Sequence, residues 1–151
     1  MRESNGVSVQ ILSATITAAD LVARTGIAAD ATWAAGDTYG AFGAIRKTHG
    51  LALETKLAPS STLDEHVRDM LRRLAPSAQK IGQLAAQVEV IFACKIESKR
   101  APILHFDSDT LRWLAAMNAK LDIDTAVISE PPKPAAGGAA GGAAGAKPSG
   151  F

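Results

Sequence analysis

This chain predicts an α+β fold: a mostly antiparallel sheet of ferredoxin-like character with helices packed on one face. Three observations carry that prediction. Apolar residues alternate with a period of two in several short runs, helix-capping signals stand between those runs, and the order of elements shows no strand–helix–strand repeat. The 151 residues, 47% of them hydrophobic, suffice for one core and are too few for two. One domain over residues 1–128 is expected, followed by a tail over residues 129–151.

Val7, Val9 and Ile11 alternate with Ser8 and Gln10, the pattern of a half-buried strand. Thr17 and Asp20 have capping-box spacing, and Ile16 with Leu21 can staple the first turn of a helix over residues 18–25. Gly26 stops that helix in a left-handed conformation, and Ile27 folds back on it. A short strand is expected near Thr32, then a turn at Gly36-Asp37 and a flexible, partly apolar, Gly-rich segment holding Tyr39, Phe42 and Ile45. Leu51, Leu53, Thr55 and Leu57 predict a further strand, ended by Pro59.

Thr62 and Glu65 form a capping box for the longest helix, whose apolar stripe is Leu63, Val67, Met70, Leu71 and Leu74. Asp64 with Arg68, and Asp69 with Arg73, are pairs four residues apart. Pro76 opens a second helical piece. The clearest strand follows, with Val88, Val90, Phe92, Cys94 and Ile96 on one face. Residues 103–106 predict a brief strand, Asp107 or Ser108 caps a helix carrying Leu111, Leu114 and Ala115, and Asn118 ends it. A last strand spans residues 121–128. From Ser129 the sequence turns to Pro, Ala and Gly, a composition that buries too little apolar surface to offset its ordering entropy, so a flexible tail is expected.

Composition narrows the function. The formal charge is +1, with 16 basic and 15 acidic residues interspersed, which argues against nucleic-acid binding. The lone Cys94 makes no internal disulfide, and its place on an apolar face predicts a buried, unreactive thiol. With neither a secretory leader nor an apolar stretch of spanning length, a cytoplasmic, non-membrane protein is expected.

Candidate chemistry is sparse. His49, His66 and His105 lie far apart, and no metal site is expected of them; His66, beside Glu65 and Asp69, reads as a solvated surface residue. Asp122 and Asp124 project from the same strand face, where they can hold a cation or divide acid–base work, or simply solvate an edge. Asp107 and Asp109 have helix-start roles. The Gly-rich segment lacks a phosphate-loop Lys, so Tyr39 and Phe42 are better read as recognition residues or as rings packed on the sheet.

These residues also carry a resemblance. The run Ala18-Ala-Asp-Leu-Val-Ala-Arg-Thr-Gly-Ile27 followed by Ala34-Ala-Gly-Asp37 resembles the early helix and turn of the bacterial family known as domain of unknown function 4279. Leu63-Asp-Glu-His-Val67 and Leu71-Arg-Arg-Leu-Ala-Pro76 resemble the two ends of that family's long helix, and residues 106–128 its closing helix and strand. Leu51, Leu53 and Thr55 stand where the family usually carries a Trp and a Ser. The resemblance implies an α+β domain and no assigned reaction. The expected function is therefore a non-enzymatic protein-interaction or regulatory module, immunity-like or accessory, using no cofactor. Its contact residues are expected to be Tyr39 and Phe42 or Asp122 and Asp124. The alternative is a small-ligand or metal-binding domain built on residues 107–124 with His105.

Overall fold

A computed structural model describes residues 2–129 and Pro132; the expected tail otherwise lies outside the described residues. The alternation at Val7, Val9 and Ile11 becomes β1 (Ser4–Ser13), with those three side chains buried on one face. Antiparallel to it on one side runs β5 (His49–Glu54), with Val9 opposite Leu53 and Ile11 opposite Leu51. On its other side runs β6 (Glu89–Ser98), with Val7 opposite Cys94 and Val9 opposite Phe92. The short β2 (Ala31–Trp33) adds antiparallel to β5, and β7 (Ala119–Val127) adds parallel to β6. The strand order is β2-β5-β1-β6-β7, which places the first strand of the chain at the centre of a mostly antiparallel sheet.

Helices cover one face. Helix α1 (Ala18–Thr25) starts where the Thr17 side chain accepts from the Asp20 N–H and stops at Gly26, whose φ is 73°. Ile16 and Leu21 are both buried at its entrance. Helix α2 (Leu63–Leu74) carries the full reciprocal capping box of Thr62 and Glu65 and runs through a 3-10 turn at Ala75–Ser77 into α3 (Ala78–Gln83). Helix α4 (Ser108–Ala116) is capped by Asp107 and ends at Asn118, whose φ is 53°. Between helices and sheet lies one core that includes Val9, Ile11, Leu21, Leu51, Met70, Leu74, Ile81, Phe92 and Met117. Cys94 is buried within it, and burial raises its thiol to about 11.

Several expectations are corrected. Residues 101–107 form no strand; the edge of β6 beside them is taken by β7. The β6–α4–β7 segment is a parallel crossover, a strand–helix–strand unit that the element order had not suggested. The buried face of α4 is Thr110, Leu114 and Met117, while Leu111 is half exposed. The strand predicted through Leu57 ends at Glu54. Between β2 and β5, the segment expected to be flexible forms a small hairpin, β3 (Thr38–Tyr39) with β4 (Ala44–Ile45).

His66 is the largest surprise among polar residues: it is 1% exposed. It lies four residues before Met70, so the helix turns it inward with the apolar stripe. Its Nε2 is 3.2 Å from the Ala58 carbonyl oxygen, which can only accept, so Nε2 donates there. In that tautomer Nδ1 accepts from the Thr55 hydroxyl 2.7 Å away, while the Thr55 oxygen accepts from the Val7 N–H at 3.2 Å.

Arg73 also departs from expectation. It is Arg72 that reaches Asp69; Arg73 instead donates to the Glu54 carbonyl at 2.7 Å and to Asp30 at 3.2 Å. Asp30 accepts as well from the Glu54 N–H at 2.9 Å and pairs with Lys56 at 3.0 Å, so one carboxylate ties together the start of β2, the end of β5 and α2. The Glu54 N–H first, and Lys56 next, hold its pKa at about 2, below the ordinary 3.8. A lowered folded-state pKa gives stability that is fully present above the ordinary value and is lost as pH falls toward the folded one. Thermal melts should therefore show wild type losing stability between pH about 4 and about 2, with a smaller loss over that window in Asp30→Asn. Equal losses in the two proteins would remove Asp30 from the account.

Candidate functional site

The β3–β4 hairpin is built by backbone requirements. Gly40 and Gly43 take φ of 73° and 67°, a region costly for residues with a Cβ, and so allow the tight reversal. Its base is closed by the Asp37–Arg46 pair: the Arg46 N–H donates to the Asp37 carbonyl at 2.7 Å, and the Gly36 N–H donates to the Arg46 carbonyl at 2.8 Å. The Asp37 carboxylate accepts from the Ala34 N–H at 2.8 Å and fixes the approach to the hairpin.

A stack of side chains ties this hairpin to the sheet. The Arg46 guanidinium lies 4.0 Å from the ring centres of both Trp33 and Tyr39, held between two aromatic faces. Trp33 is in register with Gly50 of β5, and its ring occupies the space a Cβ at Gly50 would need. Glycine is therefore required there to seat the indole. The Trp33 Nε1 and Arg46 Nε are buried without a hydrogen-bond partner among the described residues. The hairpin thus stands on a packed base, and its apolar tip faces solvent: Phe42 is fully exposed, Ile45 63% and Tyr39 46% exposed. Of the two rings expected to act in recognition, Tyr39 is partly engaged by Arg46 and Phe42 is wholly available. Ile45 belongs with them.

Asp122 and Asp124 occupy a different place. Both lie on the sheet face opposite the helices, in register with Ala93 and Lys95 of β6. They rim an open hollow of about 510 Å³ that also takes in Gly6, Ser8, Glu54 and Lys95, where the small residues Gly6, Ser8 and Ala93 leave space above the sheet. Lys120 Nζ is 4.0 Å from an Asp122 oxygen, and Lys95 Nζ is 3.7 Å from Glu97, so the face alternates in charge.

His105 and Asp107 line a separate hollow of about 200 Å³ beside the start of α2, on the helix side of the sheet. The structure therefore does not bring His105 together with Asp122 and Asp124. Asp107 is committed to capping, accepting from the Thr110 N–H at 2.8 Å, and that bond lowers its pKa. Asp109 pairs with Arg112 at 3.2 Å. His49 lies elsewhere again, its Nδ1 accepting from the Ala35 N–H at 3.1 Å. Among the described residues no three His, Cys, Asp or Glu side chains converge to hold a metal ion, and no helix is long and apolar enough to cross a membrane.

Residues 2–127 match the family model described as a domain of unknown function (DUF4279), nearly the whole of the fold above. The chain belongs to that family. No curated protein and no solved structure matches it. The DUF4279 description carries no reaction, so a functional reading of this member rests on its own geometry, in which the hairpin tip is the most unusual surface.

Proposed function

We propose that this DUF4279 domain acts by binding another protein, as a non-enzymatic interaction or regulatory module of the bacterial cytoplasm, with the hairpin tip as its contact. The observation that carries the reading is Phe42, a large ring fully in solvent at the end of a reversal whose base is packed and hydrogen-bonded. An exposed aromatic on a rigid support gives up little conformational entropy on binding, and aromatic anchors of this kind dominate interface energetics. Lys47 is exposed beside Arg46 and places positive charge at the base of the hairpin, which suits a partner with an apolar pocket for the tip and acidic groups farther out. The lone buried thiol suits a reducing compartment.

The alternative of a small ligand held by Asp122 and Asp124 has the open-face hollow in its favour. Lys120 and Lys95 already sit beside those carboxylates, so the hairpin reading is preferred.

The test is a photocrosslinking residue at Ala41, used in cells that carry the protein natively. One adduct should form, saturate, and be competed by unlabelled wild-type chain. Phe42→Glu leaves the fold intact because the ring touches nothing, yet it should compete at least about tenfold more weakly. Equal competition by the two chains would overturn the reading.

A further inference from the structure

We propose that β7 is a self-pairing edge, along which two copies of this chain join antiparallel into one continuous sheet. The two edges of the sheet differ greatly. β2 offers three residues, whereas β7 offers nine, and from Asp122 to Val127 every residue is exposed on both faces. Ile123 and Val127 are among the exposed apolar side chains of that stretch. An exposed edge of this length presents a row of unpaired backbone groups ready for another strand.

The phase of those groups follows from one hydrogen bond. The Ile128 N–H donates to the Ser98 carbonyl at 2.9 Å, continuing the parallel ladder in which Val127 stands beside Ser98. Backbone groups alternate sides along a strand, so even-numbered residues of β7 turn toward β6 and odd-numbered ones turn outward. Ala119, Leu121, Ile123, Thr125 and Val127 therefore present their N–H and C=O groups to an incoming strand.

Charge selects the occupant and the register. Lys120, Asp122 and Asp124 share the face away from the helices. A two-fold axis at Asp122 sets Lys120 of each copy opposite Asp124 of the other, and pairs Leu121 with Ile123 and Ala119 with Thr125. Outward residues then meet outward residues, as an antiparallel ladder requires. The single unfavourable pair is Asp122 with Asp122 of the second copy, and like charges directly opposite weaken a ladder. This reading is independent of the hairpin: it uses another edge of the molecule and a different partner.

Sedimentation equilibrium on the full chain tests it. A reversible dimer is expected for wild type. Asp122→Asn should tighten it by about tenfold, and Lys120→Asp should weaken it by at least that factor. Thr125→Pro removes an outward N–H while leaving the bonds to β6 in place, so it should abolish the dimer without lowering the melting temperature. Asp122→Cys should form an intermolecular disulfide on oxidation, because residues facing each other in a non-hydrogen-bonded pair lie within disulfide reach. A wild-type chain that is monomeric up to its solubility limit would overturn the proposal. So would a dimer that Asp122→Asn fails to tighten, or an Asp122→Cys chain that stays unlinked.

Discussion

Replacing Phe92 by alanine should lower stability by about 3–5 kcal/mol, the range for truncating a fully buried aromatic. Phe92 is 0% exposed and sits on β6 between Val9 of β1 and Leu121 of β7, so its ring spans the middle of the sheet beneath the helices. Deleting it removes apolar contact and leaves a void that β strands pinned in a ladder cannot close. Small proteins hold about 5–15 kcal/mol in total, so the variant should sit near its unfolding threshold. Urea unfolding is the measurement: the midpoint should drop with the slope unchanged. Ile91, the neighbouring residue on the opposite and only half-buried face, is the control, and Ile91→Ala should cost less. A loss below about 1 kcal/mol for Phe92→Ala would mean that the core lies elsewhere.

His66→Leu should cost about 1–3 kcal/mol, although leucine fills much of the same space. The ring's two hydrogen bonds, to the Ala58 carbonyl at 3.2 Å and to the Thr55 hydroxyl at 2.7 Å, would be lost, although the Ala58 carbonyl keeps the Ser61 N–H at 2.9 Å. The Thr55 hydroxyl has an escape, since the Val7 carbonyl lies 3.3 Å from it. Thr55→Val should therefore cost less in the His66→Leu background than in wild type, a coupling of roughly 1 kcal/mol in a double-mutant cycle. If the two changes simply add, the ring and the hydroxyl do not act together.

Most of the helix ends and the two long antiparallel strands were legible in the sequence because their signals are local. A capping box such as Thr62 with Glu65 is complete within four residues, and the alternation in β1 and β6 follows from the pleat itself. What was missed depends on partners distant in sequence. Ile103 and Leu104 are apolar enough for a strand, yet the edge they would use belongs to β7. Arg73 passes over the acid four residues away for one 43 residues away, because the end of β5 brings Asp30 within reach. Glu65 and Asp69 disguised His66, although its four-residue spacing to Met70 was a usable sign of burial.

The candidate site divides the same way. Tyr39 and Phe42 stood out as aromatics in a Gly-rich stretch, but β3 and β4 have two residues each, too few to show a period. The stack that steadies them joins Trp33 and Arg46 from either side of the hairpin, and only its Gly50 seat hints at it in the sequence. Asp122 and Asp124 were visible as spacing on one strand face, while Lys120 lay outside the predicted strand and their position on an open edge required the strand order.

The central position of β1 bears on how the chain is made. Within this sheet β1 is synthesised before both of the strands that flank it, residues 49–54 and 89–98. Until the second of these emerges, Val7, Val9 and Ile11 belong to a sheet with a missing half, and an aggregation-prone edge stays open in the nascent chain. The middle of the sheet thus closes only when residues 89–98 are available, and a pause in synthesis just before them leaves β1 half-paired for longest.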